Sequence, residues 1–156
     1  MKIAIIMGSN SDYEIMKKAE DVLKDFEIPY EIKVVSAHRT PKMMYDFALN
    51  AYDNGFNVVI AGAGGAAHLP GMVASLTCLP VIGVPIKLKA LEGLDSLLSI
   101  VQMPSGIPVA TMGINQAANA ALHAIAILGS TNPEIYQKLV DYKASLAQKV
   151  KEMELK

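Results

Sequence analysis

Apolar positions alternate along the chain between two rhythms. Five short runs, Ile3–Met7, Tyr30–Val35, Phe56–Ala61, Leu79–Val84 and Ile107–Met112, are rich in β-formers and largely lack polar alternation, as strands buried on both faces do. Between them the apolar residues fall at helical intervals. Ile15, Ala19, Val22, Leu23 and Phe26 predict a helix over about Asp12–Phe26, with Ser11 and Glu14 at capping-box spacing and Pro29 ending the unit. Met43, Met44, Phe47, Ala48 and Ala51 form the inner stripe of a second helix, which Thr40 would cap, Pro41 would enter at its first position and Gly55 would stop. The pattern predicts a short helix ending near Thr77, a fourth strand ended by Pro85, and a helix over Leu91–Val101. Asn132 and Pro133 then open a C-terminal helix, about 133–152, whose stripe of Ile135, Leu139, Tyr142, Leu146 and Val150 is placed to pack on a neighbouring subunit.

Strands alternating with helices define an α/β chain with a parallel sheet covered on both faces. Five strands fit a three-layer α/β/α, doubly wound, flavodoxin-like arrangement in one domain over 1–156, followed by the C-terminal helix. No internal repeat or low-complexity tract interrupts it.

Composition narrows the partners. A net charge of -1 with scattered Lys and Glu supplies no basic face for nucleic acid. One cysteine, Cys78, excludes an internal disulfide or a cysteine-based metal cluster; its neighbours Leu76, Leu79 and Val81 predict a buried, inert thiol in a reducing cytoplasm. Lys2 leads directly into a strand, so no signal peptide is expected, and no apolar run reaches membrane-spanning length. The hydrophobic share of 52% and mean hydropathy of +0.31 are high, and Ala117–Leu128, with only Asn119 and His123 polar, holds much of the excess. Such a helix predicts cover from other subunits as well as its own sheet, hence a homo-oligomer.

Candidate chemistry gathers at three strand exits, which an open α/β sheet places on one edge. Gly8-Ser9-Asn10-Ser11-Asp12 offers hydroxyls, backbone N–H groups and a helix N-terminus suited to phosphate, while Asp12 suits sugar hydroxyls. Helix capping alone also accounts for Ser9 and Ser11. Ser36-Ala37-His38-Arg39-Thr40-Pro41 sets His38, the best proton-transfer group, beside Arg39, whose fork can hold phosphate by two hydrogen bonds. Gly62–Gly71 carries Gly64 and His68 and matches neither a dinucleotide fingerprint nor a Walker loop; its glycines permit backbone to approach a flat ligand. Composition leaves His68 open between core and site. The three histidines lack metal spacing, so no metal is predicted. The few aromatic residues near the exits disfavour a flavin module, and Gly62-Ala63-Gly64 stands where a response regulator needs its phosphoacceptor Asp.

These three exits, together with Ser99–Val109, resemble the N5-carboxyaminoimidazole ribonucleotide mutase (PurE) family, in order over residues 3–128. The resemblance implies an isomerase of purine (IMP) biosynthesis that moves a carboxylate from N5 to C4 of the ribonucleotide without metal, cofactor or ATP, as a cytoplasmic homo-octamer supplied by an ATP-dependent synthetase. It assigns general acid/base work to His38 and nucleotide contacts to Ser9, Asp12 and Arg39. Ser11, Ser36, Gly64 and His68 match positions lining the same pocket, with the glycine-rich loop confining released carbon dioxide. A related branch carboxylates aminoimidazole ribonucleotide directly and typically carries Lys at the position of Arg39, so Arg39 favours the mutase. A non-catalytic phosphoribosyl-nucleotide-binding module is the reading from another class. The chain departs from the family pattern at Gly113-Ile114-Asn115-Gln116, a shortened turn before Ala117 that bears on packing and loop closure.

Overall fold

In the computed structural model, which describes residues 1–154, five parallel strands form one sheet in the order β2-β1-β3-β4-β5. They are β1 (Ile3–Met7), β2 (Tyr30–Val34), β3 (Val58–Gly64), β4 (Val81–Ile86) and β5 (Ala110–Thr111). The helices are α1 (Tyr13–Asp25), α2 (Pro41–Asn50), α3 (Leu69–Ala74), α4 (Leu94–Val101), α5 (Ala117–Gly129) and α6 (Pro133–Lys151), and short 3-10 turns precede α1 and α4. This is the flavodoxin-like order, with a C-terminal helix added.

Pleating divides the core in two. Ile3, Ile5 and Met7 point to one face, where they pack with Met16 and Leu23 of α1 and Ala121 and Ile125 of α5. Ala4 and Ile6 point to the other, among Met44 and Ala48 of α2, Val73 of α3 and Ile100 of α4. Buried Glu20 ties α1 to β2: it accepts hydrogen bonds from the hydroxyls of Tyr13 and Tyr30, both at 2.8 Å, and pairs with Lys24 at 2.7 Å. Lys24 first, then Tyr30 and Tyr13, hold its carboxyl down at about 2.

Register makes three exits level. Met7 stands opposite Val34 on one side and Gly62 on the other. Val35 N then donates to Met7 O (2.8 Å) and Gly8 N to Gly62 O (3.3 Å), so the chain leaves all three strands at one edge.

Several elements differ from the sequence pattern. β3 runs to Gly64 rather than stopping at Ala61, because Gly62 and Gly64 pair with Val84 and Ile86 and serve as strand residues. β4 continues through Pro85 to Ile86. Gly83 O accepts from Met112 N and Pro85 O from Asn115 N, so Pro85 faces the side on which β5 has already ended and no ladder bond is lost to its missing N–H. β5 is two residues instead of six positions of apolar run. Cys78 is exposed, not buried, since it lies in the bend between α3 and β4.

The apolar helix α5 packs on its own chain against α1, β3, β4 and α6, which bury Ala117, Ala120, Ala121, Ala124, Ile125 and Leu128. Ala118, Leu122 and Ile127 are half-buried and Ala126 is exposed, so its own chain covers only part of its apolar surface. In α6, Asn132 caps as expected, accepting from Glu134 N and Ile135 N. The first half of α6 docks on its own subunit through Ile135, Leu139 and Tyr142, whose ring meets Phe26 edge-on at 5.4 Å, while Leu146 and Val150 are exposed. Exposed apolar residues stand elsewhere too: Tyr45 and Leu49 on α2, and Leu94, Leu98 and Val101 on α4.

The seam between β4 and α4 depends on Gly83. A Cβ there would stand 2.5 Å from Cγ2 of fully buried Ile100 and 3.1 Å from Cγ1 of Val109. Gly83→Ala is expected to lower unfolding free energy by about 1–3 kcal/mol in urea titrations, the usual range for overpacking a close contact. An unchanged midpoint would show that α4 is free to move away.

Candidate active site

At the first exit Ser9 is extended and begins the 3-10 turn that runs into α1. Its Oγ accepts from Ser11 N at 3.3 Å and from the Ser11 hydroxyl at 2.9 Å, and its own N–H donates to Asp12 Oδ2 at 3.1 Å. The capping box is thus Ser9 with Asp12, not Ser11 with Glu14, and it stands two residues earlier than the sequence spacing indicated. Asp12 is buried, and that burial raises its carboxyl above the ordinary value, with the Ser9 N–H, the Ser11 hydroxyl and the Arg39 charge pulling in the opposite direction.

The second exit folds back on itself. Thr40 stands at the N-cap position of α2 but does not cap it; its Oγ1 donates to Ser36 O (3.0 Å) and accepts from Ser36 N (3.2 Å). This clasp presents the buried Ser36 hydroxyl to Arg39, whose Nε donates to it at 3.0 Å. An Arg39 terminal nitrogen donates to Gly8 O at 2.5 Å. Arg39 therefore bridges the first two exits with part of its fork. Among the described residues it makes no ion pair, although its charge acts on the Asp12 carboxyl, and its remaining N–H donors are available to an anion.

At the third exit, Gly65, with φ +65°, turns the chain after β3, and His68 stands just before α3. His68 Nδ1 and His38 Nε2 are 2.9 Å apart, with the rings edge to face at 4.9 Å between centroids. A hydrogen bond at that distance places one proton between the two facing nitrogens. It fixes the ring orientation of His38 and leaves His38 Nδ1 and His68 Nε2 without a protein partner among the described residues.

All eight residues singled out in the sequence, Ser9, Ser11, Asp12, Ser36, His38, Arg39, Gly64 and His68, line one cleft of about 210 Å³. A roomier groove of about 480 Å³ lies between the end of α1 and α6; Asp25, Glu27, Asp141 and Lys138 line it beside Phe26 and Tyr142, but Lys138 is already paired with Glu27 and neither a histidine nor an arginine lines it. Chemistry, rather than size, selects the cleft. The sequence pattern missed Leu88, which follows β4 and closes the cleft over Gly64. Its signal was positional: a fourth strand exit opens on the same edge. Among the described residues no three His, Cys, Asp or Glu side chains converge as a metal site.

The class is now defined. This is a doubly wound α/β protein with a cleft at the carboxyl edge of β1, β2 and β3, its walls bearing serine hydroxyls, a guanidinium and a paired imidazole. Comparison with known proteins agrees and goes further. The family model described as AIR carboxylase matches residues 2–149. The N5-carboxyaminoimidazole ribonucleotide mutase of Pyrococcus horikoshii is 62% identical over 150 residues, covering 96% of this chain and 85% of that protein. The Thermotoga maritima protein of the same name is 58% identical over 151 residues, with 97% and 88% covered. The crystal structure of Treponema denticola PurE superposes with a TM-score of 0.88 at 32% identity, covering 97% of this chain and 94% of that one. The chain belongs to the AIR carboxylase family.

The position of Asp12 in this electrostatic balance can be measured. Carboxyl-carbon NMR is expected to give Asp12 a titration midpoint above the ordinary aspartate value, and Arg39→Gln is expected to raise it further by removing a positive charge that favours the ionised form. A midpoint that falls on loss of Arg39 would contradict the geometry.

Proposed function

We propose that this chain is an isomerase of purine biosynthesis that converts N5-carboxyaminoimidazole ribonucleotide to 4-carboxy-5-aminoimidazole ribonucleotide. The observation that carries this reading is the convergence of His38, paired with His68, and the Ser9, Ser11 and Arg39 donors in one cleft. In this arrangement the phosphate lies against the Ser9 and Ser11 hydroxyls, the α1 N-terminus and the free donors of Arg39. Asp12 accepts from ribose hydroxyls, and Ser36 holds Arg39 in place. Gly64 and Gly65 let the planar imidazole and its carboxylate approach the backbone.

The chemistry balances around one proton. The N5–carboxylate bond breaks, its electron pair stays on N5, carbon dioxide is released within the cleft, and His38 delivers a proton to N5. C4 of the electron-rich aminoimidazole then attacks carbon dioxide, forming the new carbon–carbon bond. His38 takes the C4 proton and is restored. No external oxidant, reductant or nucleotide triphosphate enters the balance. A direct carboxylation of aminoimidazole ribonucleotide would use only the second half. A module that binds the nucleotide without turnover would use neither half.

We place the enzyme in the cytoplasm as a homo-octamer. The exposed apolar residues of α2 and α4 support subunit contacts, and no helix among the described residues is long and apolar enough to cross a membrane. Its substrate carries an N-carboxylate, which supports a functional link to an ATP-dependent synthetase that carboxylates the same ribonucleotide.

The decisive assay supplies N5-carboxyaminoimidazole ribonucleotide without ATP and follows the C4-carboxylated product. His38→Asn is expected to cut turnover about 10²–10⁴-fold, the range for a positioned general acid/base, while product binding is retained. Full activity in His38→Asn would remove the assigned role. Product formed solely from aminoimidazole ribonucleotide and bicarbonate would identify a direct carboxylase instead.

A further inference from the structure

The loop after β4 reaches back over the site, and the shortened turn before α5 pins it there. Asn115 has φ +60°, a left-handed conformation that asparagine tolerates better than most residues. Held so, it grips the β4 exit twice: its N–H donates to Pro85 O at 2.8 Å, and its Oδ1 accepts from Lys87 N at 2.9 Å. Next to it, Ile114 packs on Gly93 at the far end of the loop, where a Cβ would stand 2.8 Å from Ile114 Cγ2. Lys87 pairs with Glu92 across the loop. Residues 85–93 are thus fastened at both ends by the turn 113–116, and Leu88 stands between.

Leu88 is half exposed yet occupies the space over the third exit. A Cβ on Gly64 would be 3.0 Å from Leu88 Cγ, and one on Gly65 would be 3.4 Å from its Cδ1. It also lines the cleft with His38 and His68. Elsewhere the cleft is lined by hydroxyls, backbone and charge, with three alanines and the buried Leu69 beside them. Leu88 supplies a large apolar side chain beside the glycine backbone.

We infer that Leu88 is the retaining wall that keeps released carbon dioxide in the cleft, and that Asn115 is the positioning residue that holds it there. This inference rests on the mutase reading. Carbon dioxide is small and has no net dipole, so hydrogen-bond donors hold it weakly; an apolar wall excludes the water that would hydrate it or open its route out. The shortened turn is then part of the site's closure. Through it Asn115 reaches both Pro85 and Lys87.

The test measures, in bicarbonate-free buffer, how each N5-carboxyaminoimidazole ribonucleotide consumed divides between C4-carboxylated product and decarboxylated nucleotide. Leu88→Ser is expected to raise the decarboxylated fraction about five-fold or more, as removal of most of an apolar side chain from the wall would do. Asn115→Gly keeps the backbone conformation but loses the Oδ1 acceptor, and it is expected to raise the fraction similarly. Asn115→Asp keeps the acceptor and is expected to hold the wild-type division, which a general loss of stability would not do. An unchanged division in Leu88→Ser overturns the inference while the mutase reading stands. A rise in Asn115→Asp equal to that in Asn115→Gly removes Asn115 from it. A wild-type protein that makes no C4 product overturns the mutase reading itself.

Discussion

The level register of β1, β2 and β3 is the constraint on which the site depends. Met7 stands between Val34 and Gly62, so Gly8 and Val35 leave the sheet side by side, next to β3, which runs on along β4 to Gly64. A one-residue slip of β2 would exchange the faces of all its side chains and move Ser36 and Arg39 along the edge, out of reach of Gly8 O. The hydrogen bonds Val35 N to Met7 O and Gly8 N to Gly62 O continue the ladder past the last paired residues. The cleft is therefore an extension of the sheet's own bonding.

On that edge, polar side chains hold one another before any ligand arrives. Ser9 and Asp12 close the α1 entrance, Thr40 folds onto Ser36, Ser36 takes Arg39, and Arg39 returns to Gly8. Arg39 spends its Nε and one terminal nitrogen in this way and keeps further N–H donors. The same logic applies to the imidazoles: the His38–His68 bond uses one nitrogen of each ring and leaves the outer nitrogens available. Preorganisation of this kind reduces the ordering that a small nucleotide would otherwise impose on binding.

The fold was legible where a local signal agreed with the global one. Buried β-rich runs alternating with helical stripes implied the parallel sheet, and strand exits bearing Ser9, His38 and Gly64 implied one edge. The pattern failed where a residue's role was set by its partners. Gly62 and Gly64 signal a loop in sequence, yet they are strand residues, because β1 and β4 flank Gly62 and β4 pairs with Gly64. Pro85 signals a strand end, yet it is tolerated because β5 is so short. Ala117–Leu128 asks for cover, and only the folded chain reveals that α1 and α6 provide much of it. Leu88 carries no motif at all; its place beside Gly64 depends on contacts made by Asn115, in sequence well beyond it.

The shortened turn joins these themes. It ends the sheet, opens α5 and fastens the fourth exit over the other three. The central claim is that these exits form one pocket in which His38 serves the reacting ring while a phosphate is held at the α1 entrance. A crystal structure of the protein with bound 4-carboxy-5-aminoimidazole ribonucleotide tests it most directly. The account predicts phosphate oxygens bonded to Ser9, Ser11 and Arg39, with the ring carboxylate between His38 and the Gly64–Gly65 backbone beneath Leu88. A nucleotide bound with its phosphate elsewhere, or with its imidazole turned away from His38, would contradict it.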